Sequence, residues 1–372
     1  MDRVQLGGIS MEKTMRAMII ETPGGGREAT KITDLPYPKC GEKQIIVKVM
    51  AASICKHCEE MYDNGSMGMT KEEDYPIVLG HEFAGEVVEV GAKVRNVKVG
   101  DRVTVDNTVL CGSCYYCKKD QPLYCENFGS MGHNLHGGFE EYVVALGEKA
   151  FLIPDGVSYE EAACTEPVAC CLRAVDRMNV TFGDKIAVLG AGSMGLILAQ
   201  LCKHTSASDV VVLASTQSKL DLCEKEFGVK TILVDREDHT KHEQKIAEMF
   251  PHGLDIVVDT TGSAAMNSSA LRMLGKCGKL VQYTWVPGFK IEDAWMFANK
   301  ELSVIVSWCQ THNYGRCIEA IGKGYVNLKP LITHEFSLED YLEALDTNLK
   351  DRNSIKVLIH PQWEKGEKIV HI

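Results

Sequence analysis

The sequence of 372 residues lacks any uninterrupted run of about 18 apolar residues, the length a helix needs to cross a bilayer. Its opening stretch, Met1 to Ser10, lacks the apolar core of a secretory signal, so a cytoplasmic protein with no membrane partner is expected. A basic tract is also missing. Lys and Arg number 40 against 51 Asp and Glu, a formal charge of −11, which excludes the usual electrostatic footprint of a nucleic-acid binder and leaves a small-molecule substrate as the expected partner. Internal repeats and low-complexity tracts are absent. What remains is an ordinary apolar content of 45% on a chain longer than one hydrophobic core usually spans, so two domains are expected.

Cysteine, by contrast, is abundant, with 15 residues. A long chain without a secretory signal keeps its thiols reduced, and four of them stand at metal-ligand spacing: Cys111, Cys114, Cys117 and Cys125, in the order C-x2-C-x2-C-x7-C. Four thiolates so close together close a tetrahedral shell around one structural zinc ion. An iron–sulfur cluster shares the first two spacings, but the fourth gap is seven and no proline follows Cys125, so zinc is favoured. Other cysteines, including the adjacent Cys170 and Cys171, are expected as small core residues. A second, scattered set comprises Cys55, the pair His81–Glu82, and Glu166. Sulfur, imidazole and carboxylate together suit a catalytic zinc with one open position, although spacing alone does not establish it.

The texture of the chain changes near Tyr159. Before it, short β-branched runs (Arg16–Ile20, Gln44–Val49, Glu82–Val90, Asp101–Val105, Glu140–Ala145, Ala150–Ile153) alternate with Gly and Pro turns and read as all-β. After it, helical stretches alternate with apolar strands at Ile186–Leu189, Val210–Leu213, Ile256–Val258 and Lys279–Tyr283, the pattern of a doubly wound parallel sheet with right-handed crossovers. The first of these strands runs into Gly190-Ala-Gly192-Ser193-Met194-Gly195 and then the helical run Leu196–Lys203. In that context a G-x-G-x-x-G lets backbone approach a pyrophosphate at a helix N-terminus, so a dinucleotide site is expected. The acid that would hold the adenosine ribose hydroxyls is missing at the end of the next strand. Ala214, Ser215 and Thr216 stand there, with Lys219 three residues on, while Asp209 lies at the wrong end. Two hydroxyls and an ammonium suit a 2′-phosphate, so NADP(H) is expected over NAD(H).

The string G-H-E-F-A-G-E-V-V-E-V-G (Gly80–Gly91), the four-cysteine lobe, Gly137-Gly138-Phe139-Glu140-Glu141-Tyr142, Glu166-Pro167 and the G-x-G-x-x-G together resemble the zinc-containing medium-chain alcohol dehydrogenase superfamily over nearly the whole chain. Glu166-Pro167 is most similar to the polyol (sorbitol), sugar and threonine dehydrogenase branch. The resemblance implies an α/β-plus-β chain: a GroES-like catalytic domain from residues 1–166 and 311–372, with its zinc lobe at about 107–127, and an inserted Rossmann domain at 167–310. It further implies homodimers or homotetramers, and Zn2+ at two sites per chain, one catalytic and one structural. Cys55 and His81 would be catalytic-zinc ligands, Glu82 and Glu166 the alternating or water-mediated carboxylates, and Lys56 a contact for the cofactor pyrophosphate. Zinc would polarise a substrate hydroxyl while the nicotinamide exchanges hydride with the same carbon.

One segment departs from the family pattern. After Cys55 the family has a hydroxyl residue two positions on, aspartate three on and often histidine five on; here His57, Cys58 and Glu60 stand there. His57 is therefore expected to perform the proton transfer, since imidazole titrates near neutrality. Cys58 is a poorer acceptor than aspartate and can compete for zinc; Cys55 and Cys58 also have the spacing of a redox dithiol, without its βαβ context. The altered segment leaves open a zinc-independent double-bond reductase or a non-catalytic cofactor-binding zinc protein. Met67, Met69, Trp285, Trp295 and Trp308 are candidates for the substrate wall.

Overall fold

The computed structural model describes residues 13–66 and 68–371; Met1 to Ser10 and the pocket candidate Met67 lie outside the described residues. Two sheets organise the chain. One is mixed and eight-stranded, with the long strand Gln44–Ser53 at its centre, flanked by Glu82–Val90 on one side and by Lys356–His360 from near the C-terminus on the other. Gln44–Ser53 also carries Tyr142–Leu146 over its first half. Alternate residues of these strands interlock in one apolar core that includes Ile45, Val47, Val49, Phe83, Val87, Val103 and Val357.

The second sheet is six-stranded and wholly parallel, in the order Lys230–Leu233, Asp209–Ala214, Lys185–Leu189, Leu254–Asp259, Leu274–Gln282, Ser303–Val306. That is the strand order of a dinucleotide-binding fold, with the reversal of direction beside the central strand Lys185–Leu189. Ile186–Leu189, Val211–Leu213 and Ile256–Val258 are fully buried, as strands covered by helices on both faces must be, and this is why they stand out as unbroken apolar runs. The two outermost strands, Lys230–Leu233 and Ser303–Val306, carry only the short runs Ile232–Leu233 and Val304–Val306. Edge strands are covered less, and only Ile232 among their residues is buried, so periodicity does not reveal them.

A helix, Lys56–Asp63, sits inside the half that reads as all-β. Its buried positions are Glu59 and Tyr62, correctly spaced for a helix face, but one is a carboxylate, which hides the amphipathic signal. No helix among the described residues is long and apolar enough to cross a membrane.

Candidate active site and metal centres

The four-cysteine lobe is built by local turns. Cys114 caps the short helix Tyr115–Lys118, and the 3-10 turn Pro122–Tyr124 then swings the chain back to place Cys125 beside Cys111, their sulfurs 3.5 Å apart. All four sulfurs lie within 4.8 Å of one another. The backbone amides of Ser113 and Cys114 hold the Cys111 thiol down to about 5, which favours its thiolate, whereas burial and then Cys114 push Cys117 up to about 12. These four donors fit a closed tetrahedral zinc.

The second group is assembled from distant segments. Ser53 pairs with Glu82 across the sheet, which sets Cys55, just past the end of one strand, opposite His81 at the start of the next. The turn before His81 requires Gly80: its φ is +91°, and a Cβ there would stand 2.8 Å from the Phe139 ring. Glu166 enters from the first turn of the helix Thr165–Met178. Two triads result, both sharing His81: Cys55–Cys58–His81 and His81–Glu82–Glu166, each with its donor atoms within 4.8 Å.

Electrostatics here are crowded. Burial lowers the His81 imidazole, but Cys55 beside it, then Glu166 and Glu59, outweigh this and push it up to about 10. Burial, reinforced by Glu82 and Cys55, pushes the Glu166 carboxyl up to about 7 despite the opposing pull of His81. Glu59, raised first by burial and then by Cys55, keeps one buried oxygen without a hydrogen-bond partner. The Cys55 thiol goes the other way, lowered chiefly by its hydrogen bond with Cys58. Glu82 is pinned by the Lys356 ammonium at 2.5 Å, with both side chains almost fully buried. Potentially anionic donors thus outnumber the buried cation, and an orphaned carboxylate oxygen lies beside them. A divalent cation at His81, held with Cys55 and Cys58 or with Glu82 and Glu166, would compensate this charge, and these donor types fit zinc. His133 stacks 4.4 Å from the His81 ring and is held down to about 3 by burial and by that neighbour, so it stays neutral.

His57 lies exposed in the first turn of the helix Lys56–Asp63, outside both triads. Lys56 donates to the Leu349 carbonyl at 3.4 Å. The glycine-rich turn opens a cleft of about 480 Å3 lined by Gly190, Ala191 and Gly192, and by Ser215, Thr216 and Lys219 as expected. Ser193, Met194 and Gly195 do not line it. Gly195 serves the close approach of helix to turn, since a Cβ would meet the Gly190 oxygen at 1.9 Å, and the Met194 sulfur accepts a hydrogen bond from Tyr283. Trp285, Trp295 and Trp308 are all exposed, as is Met69.

Sequence reasoning missed several residues. Arg236 and His239 line the cofactor cleft, and the Arg236 guanidinium donates to the Ser215 hydroxyl at 2.9 Å. They follow the edge strand Lys230–Leu233, and no motif points to them. Glu59 and Lys356 were equally silent, each an isolated charge whose burial only the fold reveals.

A sheet in Rossmann order beside a GroES-like β half, bearing one closed thiolate centre and one mixed buried donor set, defines an oxidoreductase of the zinc-binding dehydrogenase class, acting on a CH–OH group. Family models agree: the alcohol dehydrogenase GroES-like domain matches residues 41–155, and the zinc-binding dehydrogenase model matches residues 193–323. The chain is 32% identical to D-arabitol-phosphate dehydrogenase of Enterococcus avium over 95% of this chain and 100% of that protein. It is likewise 32% identical to sorbitol dehydrogenase of Bacillus subtilis (strain 168), over 89% and 94%. A Sinorhizobium meliloti 1021 chain assigned to the zinc-binding dehydrogenases and solved bound to NADP superposes with a TM-score of 0.83 at 27% identity, covering 94% of this chain and 100% of that one. This chain belongs to the zinc-containing medium-chain alcohol dehydrogenases, in the branch of the polyol and sugar dehydrogenases.

Proposed function

We propose that the protein interconverts a secondary alcohol, a polyol or sugar-derived hydroxy compound, and its ketone, with NADP(H) as hydride carrier and zinc at two sites per chain. The observation that carries this reading is the pair of donor triads sharing the buried His81. Zinc bound there supplies Lewis acidity toward the substrate oxygen. Cys55 and His81 hold it. Glu82 stays in its ion pair with Lys356, so Glu166, which accepts from the Cys170 thiol at 3.1 Å, is the carboxylate that would reach the metal. The helix Thr165–Met178 that carries Glu166 also touches the glycine-rich turn's helix, through the Cys171 sulfur at 3.6 Å from the Met194 carbonyl, so donor set and dinucleotide turn share one rigid support. That arrangement suits hydride transfer between substrate carbon and nicotinamide. His57, exposed two residues from Cys55, passes the proton to solvent.

The 2′-phosphate of NADP would meet Arg236, Lys219, Ser215 and Thr216. Lys219 is lowered by burial and then by Lys56, a strain that a phosphate dianion relieves. The NADP-bound relative supports this choice. The test is turnover of polyols and ketoses with NADP(H) and NAD(H), alongside zinc counted per chain. Two zincs and a preference for NADPH are expected, and Arg236→Ala should erode that preference about tenfold, the value of one charge-assisted contact. A preference for NADH, or one zinc in active protein, contradicts the reading. His57→Ala should lower turnover about 10²-fold with zinc retained; unchanged turnover removes His57 from the mechanism.

A further inference from the structure

The first triad contains a thiol where the family pattern has an aspartate, and its position is not that of a bystander. Cys55 caps the helix Lys56–Asp63 and Cys58 follows three residues later, so both sulfurs project from the same face of the first turn. Their sulfurs lie within 4.8 Å of each other and of a His81 ring nitrogen. In a tetrahedral site with Zn–S near 2.3 Å, neighbouring donors stand about 3.7 Å apart. The four-cysteine lobe of this same chain shows that spacing, with 3.5 Å between Cys111 and Cys125. Cys58 thus stands beside Cys55 and His81, where the three can surround one ion.

We infer that Cys58 is itself a protein donor to the cleft metal, making that centre a two-thiolate site formed by Cys55, Cys58 and His81. The inference rests on the reading of the cleft as a metal site. As the metal–sulfur bond forms, the Cys58 thiol releases one proton to solvent, so the electron balance is that of simple ligation with no oxidant required. Two thiolates donate more charge than a thiolate and a carboxylate, and they bias the site toward softer metals.

The experiment replaces the cleft metal by Co(II) in the full chain while zinc remains in the lobe, and records the near-ultraviolet thiolate-to-cobalt charge-transfer band. Its intensity grows with the number of thiolates bound. Cys58→Asp, which restores a carboxylate and keeps the shell charged, and Cys58→Ser should each lose about half of the wild-type band, one thiolate of two, as should Cys55→Ser. A full-strength band in both Cys58 variants overturns the inference while leaving the cleft metal in place. So does a Cys55–Cys58 disulfide, read as a loss of two hydrogens by mass, in metal-loaded active protein. No cobalt taken up and no band in wild type, with zinc still in the lobe, would instead sink the metal reading of the cleft itself.

Discussion

The lobe and the cleft solve the same problem by opposite means. The lobe takes all its donors from residues 111–125, uses short turns to converge them, and exposes part of the result to solvent. The cleft takes Cys55 from the end of one strand, His81 from the start of its neighbour, Glu166 from a helix in another part of the chain, and neutralises Glu82 with Lys356 from near the C-terminus. A local site depends on its own loop. A distributed site depends on the whole sheet, buries its charges, and can bring them against a bound cofactor, and on that ground we assign chemistry to the second and bracing to the first in the proposed function.

The sharpest way to break this contrast is to remove the shared imidazole. His81→Ala should cost turnover at least about 10³-fold, the several kcal/mol that a Lewis acid contributes, and one zinc per chain, while the lobe zinc stays; elemental analysis and kinetics on the same sample check both. Lys356→Met leaves Glu82 buried without its partner and should destabilise the fold by about 3–5 kcal/mol, visible as a lower denaturant midpoint. Cys114→Ser is the reciprocal of the first change. It should release the lobe zinc and expose the loop to proteolytic nicking between residues 107 and 127, with turnover of the intact fraction within about threefold of wild type. A collapse of turnover there would mean that the lobe does more than brace. Glu59→Gln is the smallest. Stability should move by less than about 1 kcal/mol, whereas the cleft's zinc affinity, measured by chelator competition, should fall about tenfold as a supporting negative charge is lost.

The same contrast explains what the sequence alone conveys. The lobe is legible because its chemistry is contiguous, and the central parallel strands are legible because burial on both faces writes unbroken runs such as Ile186–Leu189. The glycine turn is legible because Gly190 and Gly195 answer a steric demand that no other residue meets. Cys55, His81 and Glu166 emerge only through resemblance, since nothing in their separation predicts a shared ion. Arg236, Glu59 and Lys356 remain hidden altogether: each is an ordinary charged residue until tertiary structure places it at a cleft wall or in the interior. Edge strands and the helix Lys56–Asp63 escape for a related reason, because partial burial or a buried carboxylate blurs the hydrophobic period.

Everything proposed for the cleft turns on one point, that His81 anchors a metal there. Anomalous scattering measured on both sides of the zinc absorption edge, on crystals of active protein, tests it most directly. Two peaks per chain are predicted, one enclosed by Cys111, Cys114, Cys117 and Cys125 and one within bonding distance of Cys55 and His81. A single peak in the lobe, with the crystals still turning over substrate, would contradict it.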